Sequence, residues 1–195
     1  LLLEKVVTEE MADVALALEF RVHMTVEDVA KRADKPVETT REILWDLAEA
    51  GVATVNKKDG VDKFWHETWV PGIFEMVVNN KENVRKYPQI AKAFDDYGRL
   101  RNPVAAGNIP VGKGLMRVIP IESSLDGTSR VAKSEEISRY LDNARVISVS
   151  DCSCRTSREE MGEGCGHLKE DMCIQLDDAA EYYIRTGRGR EIEKE

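Results

Sequence analysis

A chain of 195 residues that is 42% hydrophobic and 33% charged can fill one large core or two small ones, and it reads as a globular protein instead of a disordered one. Its formal charge of −8 argues against a general affinity for nucleic acid or anionic membranes, since both are bound chiefly through basic patches. No apolar run approaches the roughly 18 residues of a spanning helix, and Leu1-Leu2-Leu3 passes straight into Glu4 and Lys5, unlike a signal peptide.

Residues 8–19 place Met11, Val14, Ala15 and Leu18 at helical spacing and predict an amphipathic helix. Thr25 with Asp28 three residues on is a capping-box pattern, opening a second helix with Val29 and Ala30 facing inward. Asp34-Lys35-Pro36 makes a turn. Pro36 then leads a third helix over 37–50, with Ile43, Leu44 and Leu47 on its apolar face and Gly51 as its stop. A strand over 52–55, a turn over 56–60 and a strand over 61–69 predict a hairpin. This order resembles a winged helix-turn-helix domain over about residues 5–70, a resemblance of pattern that says little about function.

Pro71-Gly72 punctuates the chain, and helices are expected over 73–79 and 88–100, the second with Ile90, Ala93, Phe94 and Tyr97 on one face. Two prolines and three glycines in 102–114 read as a linker. A strand over 115–121, a helix capped by Ser134 and carrying Ile137, Tyr140, Leu141 and Ala144, and a strand over 146–149 fit a β-α-β crossover with parallel strands. Residues 175–186 read as a further helix, ended by Gly187. The expected fold class is α+β: a winged helix-turn-helix-like domain (1–70), a helical connector and linker (71–114), and a small α/β domain with a cysteine-rich loop (115–195). The missing initiator Met and the charged run at 191–195 suggest a piece of a longer polypeptide.

The chemistry concentrates in one place. All four cysteines, Cys152, Cys154, Cys165 and Cys173, fall within 22 consecutive positions. In a chain read as cytoplasmic, such a cluster favours metal or redox chemistry over structural disulfides. A Cys152–Cys154 bridge would also close a small strained ring. The C-x-C pair follows the predicted strand ending at Val149, at the end of a strand where open sheets hold ligands. Cys173 is expected to begin the next helix, whose positive N-terminus would favour thiolates. Gly162, Gly164 and Gly166 let the intervening loop wrap closely and aim N–H groups at sulfur. Four thiolates describe a closed site, which is structural if it holds zinc and structural or electron-transferring if it holds iron and sulfide. Zinc sites usually pair two C-x₂₋₄-C knuckles, whereas here ten residues separate Cys154 from Cys165 and seven separate Cys165 from Cys173. That spacing favours iron–sulfur, with zinc as the alternative.

Asp-Cys-Ser-Cys-Arg-Thr, Cys-Gly-His, Met-Cys-Ile and Ala-Ala-Glu-Tyr-Tyr-Ile-Arg-Thr-Gly-Arg-Gly-Arg-Glu-Ile resemble a module of anaerobe iron–sulfur oxidoreductases. In that family a C-x-C-R…C…C unit follows a winged-helix-like region. Members often continue into a ferredoxin-type domain or work beside a flavin-dependent oxidoreductase. The resemblance spans about 145–192 and is looser upstream. It implies a [4Fe–4S] cluster on Cys152, Cys154, Cys165 and Cys173, with a redox protein or a downstream ferredoxin or flavin domain as partner. It also favours Arg155 as an offset to the cluster's charge.

Other readings are weaker. His167 reads as a neighbour of the site or a surface residue, since four cysteines already fill the ligand shell. His23 and His66 read as structural, and Trp45, Trp65 and Trp69 as core and interface. A winged helix invites a DNA-binding, cluster-sensing regulator as an alternative. The third helix opposes it, carrying Glu38, Glu42, Asp46 and Glu49 against Arg41, and Lys57, Lys58 and Lys63 are too few to reverse that sign. No Ser/His/Asp group, phosphate loop or dinucleotide fingerprint is present, so no catalytic residue is assigned and catalysis by this segment alone is not expected.

Overall fold

The structure, a computed structural model, describes residues 3–106 and 137–194. It is an α+β arrangement of helices with two small antiparallel sheets. Among the described residues no helix is long and apolar enough to cross a membrane.

Three helices open the chain. The first, α1 (Glu9–Ala17), starts where the Thr8 hydroxyl accepts from the Met11 amide at 3.2 Å, and it buries Val14, Ala15 and Ala17. α2 (Val26–Ala33) has the expected capping box: the Thr25 hydroxyl accepts from the Asp28 amide, and the Asp28 carboxylate from the Thr25 amide, each at 3.0 Å. α3 (Val37–Ala50) follows Pro36 and ends at Gly51, which adopts φ +88°. There the glycine is obligatory, because a Cβ would lie 2.5 Å from the Met76 carbonyl carbon. β1 (Thr54–Lys58) and β2 (Val61–Trp65) pair from Thr54↔Trp65 to Lys58↔Val61. The turn between them is only Asp59-Gly60, both at positive φ, which matches strand twist better than the five-residue turn expected. Bridges Met24↔Phe64 and Phe20↔His66 draw the α1–α2 connection alongside the hairpin.

A wide turn over Trp69–Ile73 leads into α4 (Phe74–Val78), α5 (Lys81–Lys86) and α6 (Gln89–Ala106). α6 runs through Pro103 to Ala106, into the stretch expected to be linker. The expected strand over 115–121 and the Ser134 cap lie outside the described residues. After α7 (Ile137–Asn143), β3 (Ile147–Ser150) is buried at every position and forms the centre of the second sheet, in the order β4-β3-β5. β4 (Cys173–Leu176) and β5 (Gly189–Ile192) both run antiparallel to it. Both edges of β3 are therefore taken by antiparallel strands, and the first strand of the expected β-α-β crossover lies outside the described residues. The expected 175–186 helix is corrected: its first two residues belong to β4, Asp177 turns the chain at φ 52°, and α9 is Asp178–Arg185. Cys173 thus begins a strand, and it is the C-x-C pair that meets a helix start, at α8 (Ser153–Glu160).

One hydrophobic core runs through both ends of the chain. Tyr182 and Tyr183 of α9 join Leu44, Leu47, Val55, Phe64 and Val77 in it. Around them, Asn56 donates to the Asp178 carbonyl at 2.7 Å, Arg185 pairs with Asp62 at 2.8 Å, and Arg188 donates to the Met76 carbonyl at 2.8 Å. His66 bridges the carbonyls of Ala15 and Val52 at 2.6 and 3.2 Å, the structural role expected of it. Trp65 is buried, while Trp45 and Trp69 pack against the core's edge.

Candidate metal centre

The site grows from the register of β3 against β4. Ser148 donates to the Gln175 side-chain oxygen at 3.0 Å, and the Gln175 amide nitrogen donates to the Ser150 hydroxyl at 2.8 Å. These bonds fix the pairing that sets Cys173 opposite Ser150, two residues before Cys152. Cys152 then occupies the N-cap position of α8, its carbonyl accepting from the Thr156 amide at 2.9 Å while its side chain caps nothing. α8 is anchored from below: Ser153 donates to the Glu75 carbonyl at 3.2 Å, Ser157 to the Ala91 carbonyl at 3.4 Å, and Arg158 pairs with Asp95 at 3.2 Å.

The loop between α8 and β4 is tied back onto the helix start. Cys152 donates its amide to the Lys169 carbonyl at 2.8 Å, and the Arg155 guanidinium donates to the Leu168 carbonyl. Arg155 therefore acts here as a loop clamp. Gly162, at φ 72°, closes α8 with its amide on the Glu159 carbonyl at 2.9 Å. Gly166 turns the chain at φ 73°, and Gly164 lies against Glu159. The Ser153 amide favours the Cys173 thiolate and so opposes the rise of its pKa.

All four cysteines are free thiols; Cys152 and Cys173 are partly buried, Cys154 and Cys165 exposed. Three of them interact. Burial, then charge repulsion from Cys152 and its thiol contact, then Cys154, push the Cys173 thiol up to about 11, against the lowering effect of the Ser153 amide. Burial first, then Cys152 and then Glu75, raise the Cys154 thiol, with Arg158 opposing. A helix N-terminus alone would lower both, so desolvation and mutual repulsion outweigh it. Cys165 stands in the loop with His167, both exposed. Among the described residues, no three His, Cys, Asp or Glu side chains form a group able to hold a metal ion as they stand.

Glu75 is the neighbour that sequence reasoning missed. Its carboxylate accepts from the Gly72 amide at 2.6 Å, and burial raises its pKa against that bond. The available signal was a lone acid in the apolar run Phe-Glu-Met-Val-Val. Asp151 was also passed over, and it pairs with Lys81 at 2.9 Å. Comparison of the chain with protein-family models, with curated proteins and with solved structures returns no match.

Proposed function

We propose that this chain is an iron–sulfur electron-transfer module that holds one [4Fe–4S] cluster on Cys152, Cys154, Cys165 and Cys173 and serves as a component of a larger oxidoreductase. The support for the reading is the clustering of four free cysteines in 22 residues, three of which, Cys152, Cys154 and Cys173, act electrostatically on one another's surroundings near the start of α8, although as they stand they form no metal-holding group. Burial first, and then the charge of Cys152, raise both the Cys154 and the Cys173 thiol, and Cys154 adds to the rise at Cys173. Such an array is costly as thiolates and is relieved by a bound cation, so its donor chemistry fits a thiophilic metal group. Cys165 is the donor on the adjacent loop, and loading requires it to be drawn in from its exposed position. A cluster so held would accept and pass on one electron. The chain's own contribution is to fix the ligands through β3, α8 and the Ser153 amide, and to clamp the loop through Arg155.

Residues 9–65, three helices and a hairpin, are read as a winged-helix-like body used for docking. α9 already packs on its hairpin: Lys58 pairs with Asp178 at 2.5 Å, and the Arg185 guanidinium lies 5.2 Å from the Trp45 ring centroid. One of the three wing lysines is thereby neutralised by this chain, which weakens the regulator reading further. The partner is a redox protein or a ferredoxin or flavin domain.

The test is iron, sulfide and zinc content with a visible spectrum, on protein purified without oxygen. About four irons and four sulfides per chain, with a brown chromophore bleached by reductant, are expected. One zinc and no chromophore would replace the reading with a structural zinc module. Tight, salt-dependent DNA binding by the holo chain alone would replace it with a regulator.

A further inference from the structure

The sheet built on β3 ends in two edges of opposite character. β5 carries the exposed charges of Arg190 and Glu191, followed by Glu193 and Lys194, and such charges guard an edge against pairing with another chain. β4 has no such guard. Met172-Cys173-Ile174-Gln175-Leu176 is uncharged, with Met172 50% and Ile174 54% exposed, and Leu168 is exposed in the loop before it. Among the described residues no strand pairs with the outer edge of β4.

The register fixes which main-chain groups lie on that edge. Asp177 donates its amide to the Val146 carbonyl at 2.9 Å, and bonded pairs alternate along an antiparallel ladder. Gln175 and Cys173 therefore bond to β3, while the amides and carbonyls of Ile174 and Leu176 face outward. Asp171 and Asp177, at φ 53° and 52°, turn the chain at either end. An added strand thus has residues 172–176 to pair with, and no more.

We propose that β4 is a dimerisation edge, on which β4 of a second copy of this chain pairs antiparallel across a twofold axis at Ile174. In that register Ile174 faces its own copy and Met172 faces the copy's Leu176. Each facing pair exchanges two main-chain bonds, and the side chains along that row are all apolar. A twofold contact must suit itself, and an uncharged strand bounded by the same two turns matches its copy in both chemistry and length. The flanking acids are engaged within their own chain, Asp171 with Arg190 and Asp177 with the Arg145 amide, each at 2.7 Å. The contact is small and the charge of −8 on each chain opposes it. Association is therefore weak, and salt strengthens it by screening that repulsion. None of this depends on the metal reading.

The test is sedimentation equilibrium of the full chain, with a reductant and a chelator present so that neither disulfides nor metal ions link the copies. The mass should rise from 22.0 kDa toward twice that value between about 5 and 500 μM protein, and more steeply at higher salt. Ile174→Lys should weaken association about tenfold or more, and so should Met172→Lys, which leaves β4 itself unaltered should the first variant misfold. Glu191→Lys on β5 should stay within about threefold of wild type. Thermal unfolding checks that each variant is folded. Wild type at monomer mass throughout overturns the proposal, whether the edge then serves another strand of this chain or a different protein. So does a dimer that the folded lysine variants at 172 and 174 do not weaken, or one that Glu191→Lys weakens as much.

Discussion

The Tyr182 hydroxyl donates a 2.7 Å hydrogen bond to the backbone carbonyl of Ala48, joining the last helix of the chain to the third across the middle of the core. Ala48 lies in the final turn of α3, where its carbonyl has lost the i+4 donor and accepts from the Gly51 amide at 3.2 Å as well as from Tyr182. Arg188 serves the same end from a neighbouring position, donating to the Glu49 carbonyl while its guanidinium stacks 5.3 Å from the Tyr182 ring centroid. Tyr182→Phe keeps the ring and removes one buried hydrogen bond, leaving the carbonyl with the Gly51 amide alone, so it should cost about 0.5–1.5 kcal/mol in urea unfolding. Loss should appear as one cooperative transition, because the same core holds both ends of the chain.

Burial pushes the Tyr182 phenol up to about 12 from an ordinary 10.0, and raises Tyr183 in the same direction for the same reason. A folded pKa above the unfolded one means that the native state keeps protons the unfolded state has lost. The stability linked to these phenols is fully present below pH 10 and is lost as pH rises through the folded values. Stability should therefore fall between about pH 10 and 12 in wild type. Tyr182→Phe should flatten that slope; an unchanged alkaline limb would separate the fall from this residue.

Two glycines in left-handed backbone offer a sharper comparison. Gly51 has φ +88° and backbone of Met76 and Val77 at 2.5–2.7 Å from where a Cβ would stand, whereas Gly187 has φ +68° with nothing within 4 Å. Gly187→Ala should cost about 1–2 kcal/mol, from backbone strain alone. Gly51→Ala adds the displacement of α4, and through it the platform under Ser153, so its cost should exceed that by about 1–3 kcal/mol. Parallel denaturation of the two variants measures the difference.

At the surface, the capping box of α2 gives an acid-side expectation. The Thr25 amide, then its hydroxyl, hold the Asp28 carboxyl below its ordinary 3.8. A depressed folded pKa contributes stability that is present above pH 3.8 and lost as pH falls through the folded value. Thr25→Ala should cost about 1 kcal/mol at neutral pH. Asp28→Asn should remove part of the acid-side slope, read from stability measured between pH 2 and 5.

The first 65 residues were legible because local chemistry there decides local structure: Thr25 and Asp28 cap, Pro36 opens, Gly51 stops, and Asp59-Gly60 turns. The second sheet was not, because its strands are four residues long and owe their state to tertiary pairing. Ile174 and Leu176 fit a helix pattern with the following alanines as well as they fit a strand. Only the Ser148–Gln175–Ser150 bonds and the positive φ of Asp177 settle the matter. Gly189 shows the same dependence, since a Cβ there would meet the Val149 carbonyl oxygen at 2.7 Å. Within the site, clustering in sequence announced the cysteines, while Glu75 comes from 77 residues before Cys152 and was visible only as an acid among apolar neighbours.

The unequal exposure of the four thiols sets up a final measurement. In the metal-free chain Cys165 is exposed, so an alkylating reagent should modify it before the partly buried Cys152 and Cys173. Cys173, half-buried and pushed up to about 11, has about a hundredth of the thiolate of a thiol at 9.0. Its greater intrinsic nucleophilicity recovers about half of that on a logarithmic scale, so it should react about tenfold more slowly than such a thiol at pH 8. Peptide mapping after timed exposure to iodoacetamide reads the order directly. After anaerobic loading with iron and sulfide, all four should become protected together, because a sulfur that shares its charge with iron is a weaker nucleophile than a free thiolate. If Cys165 stays as reactive as before while the other three are shielded, it is not a ligand. The fourth position must then be filled from elsewhere around Cys154.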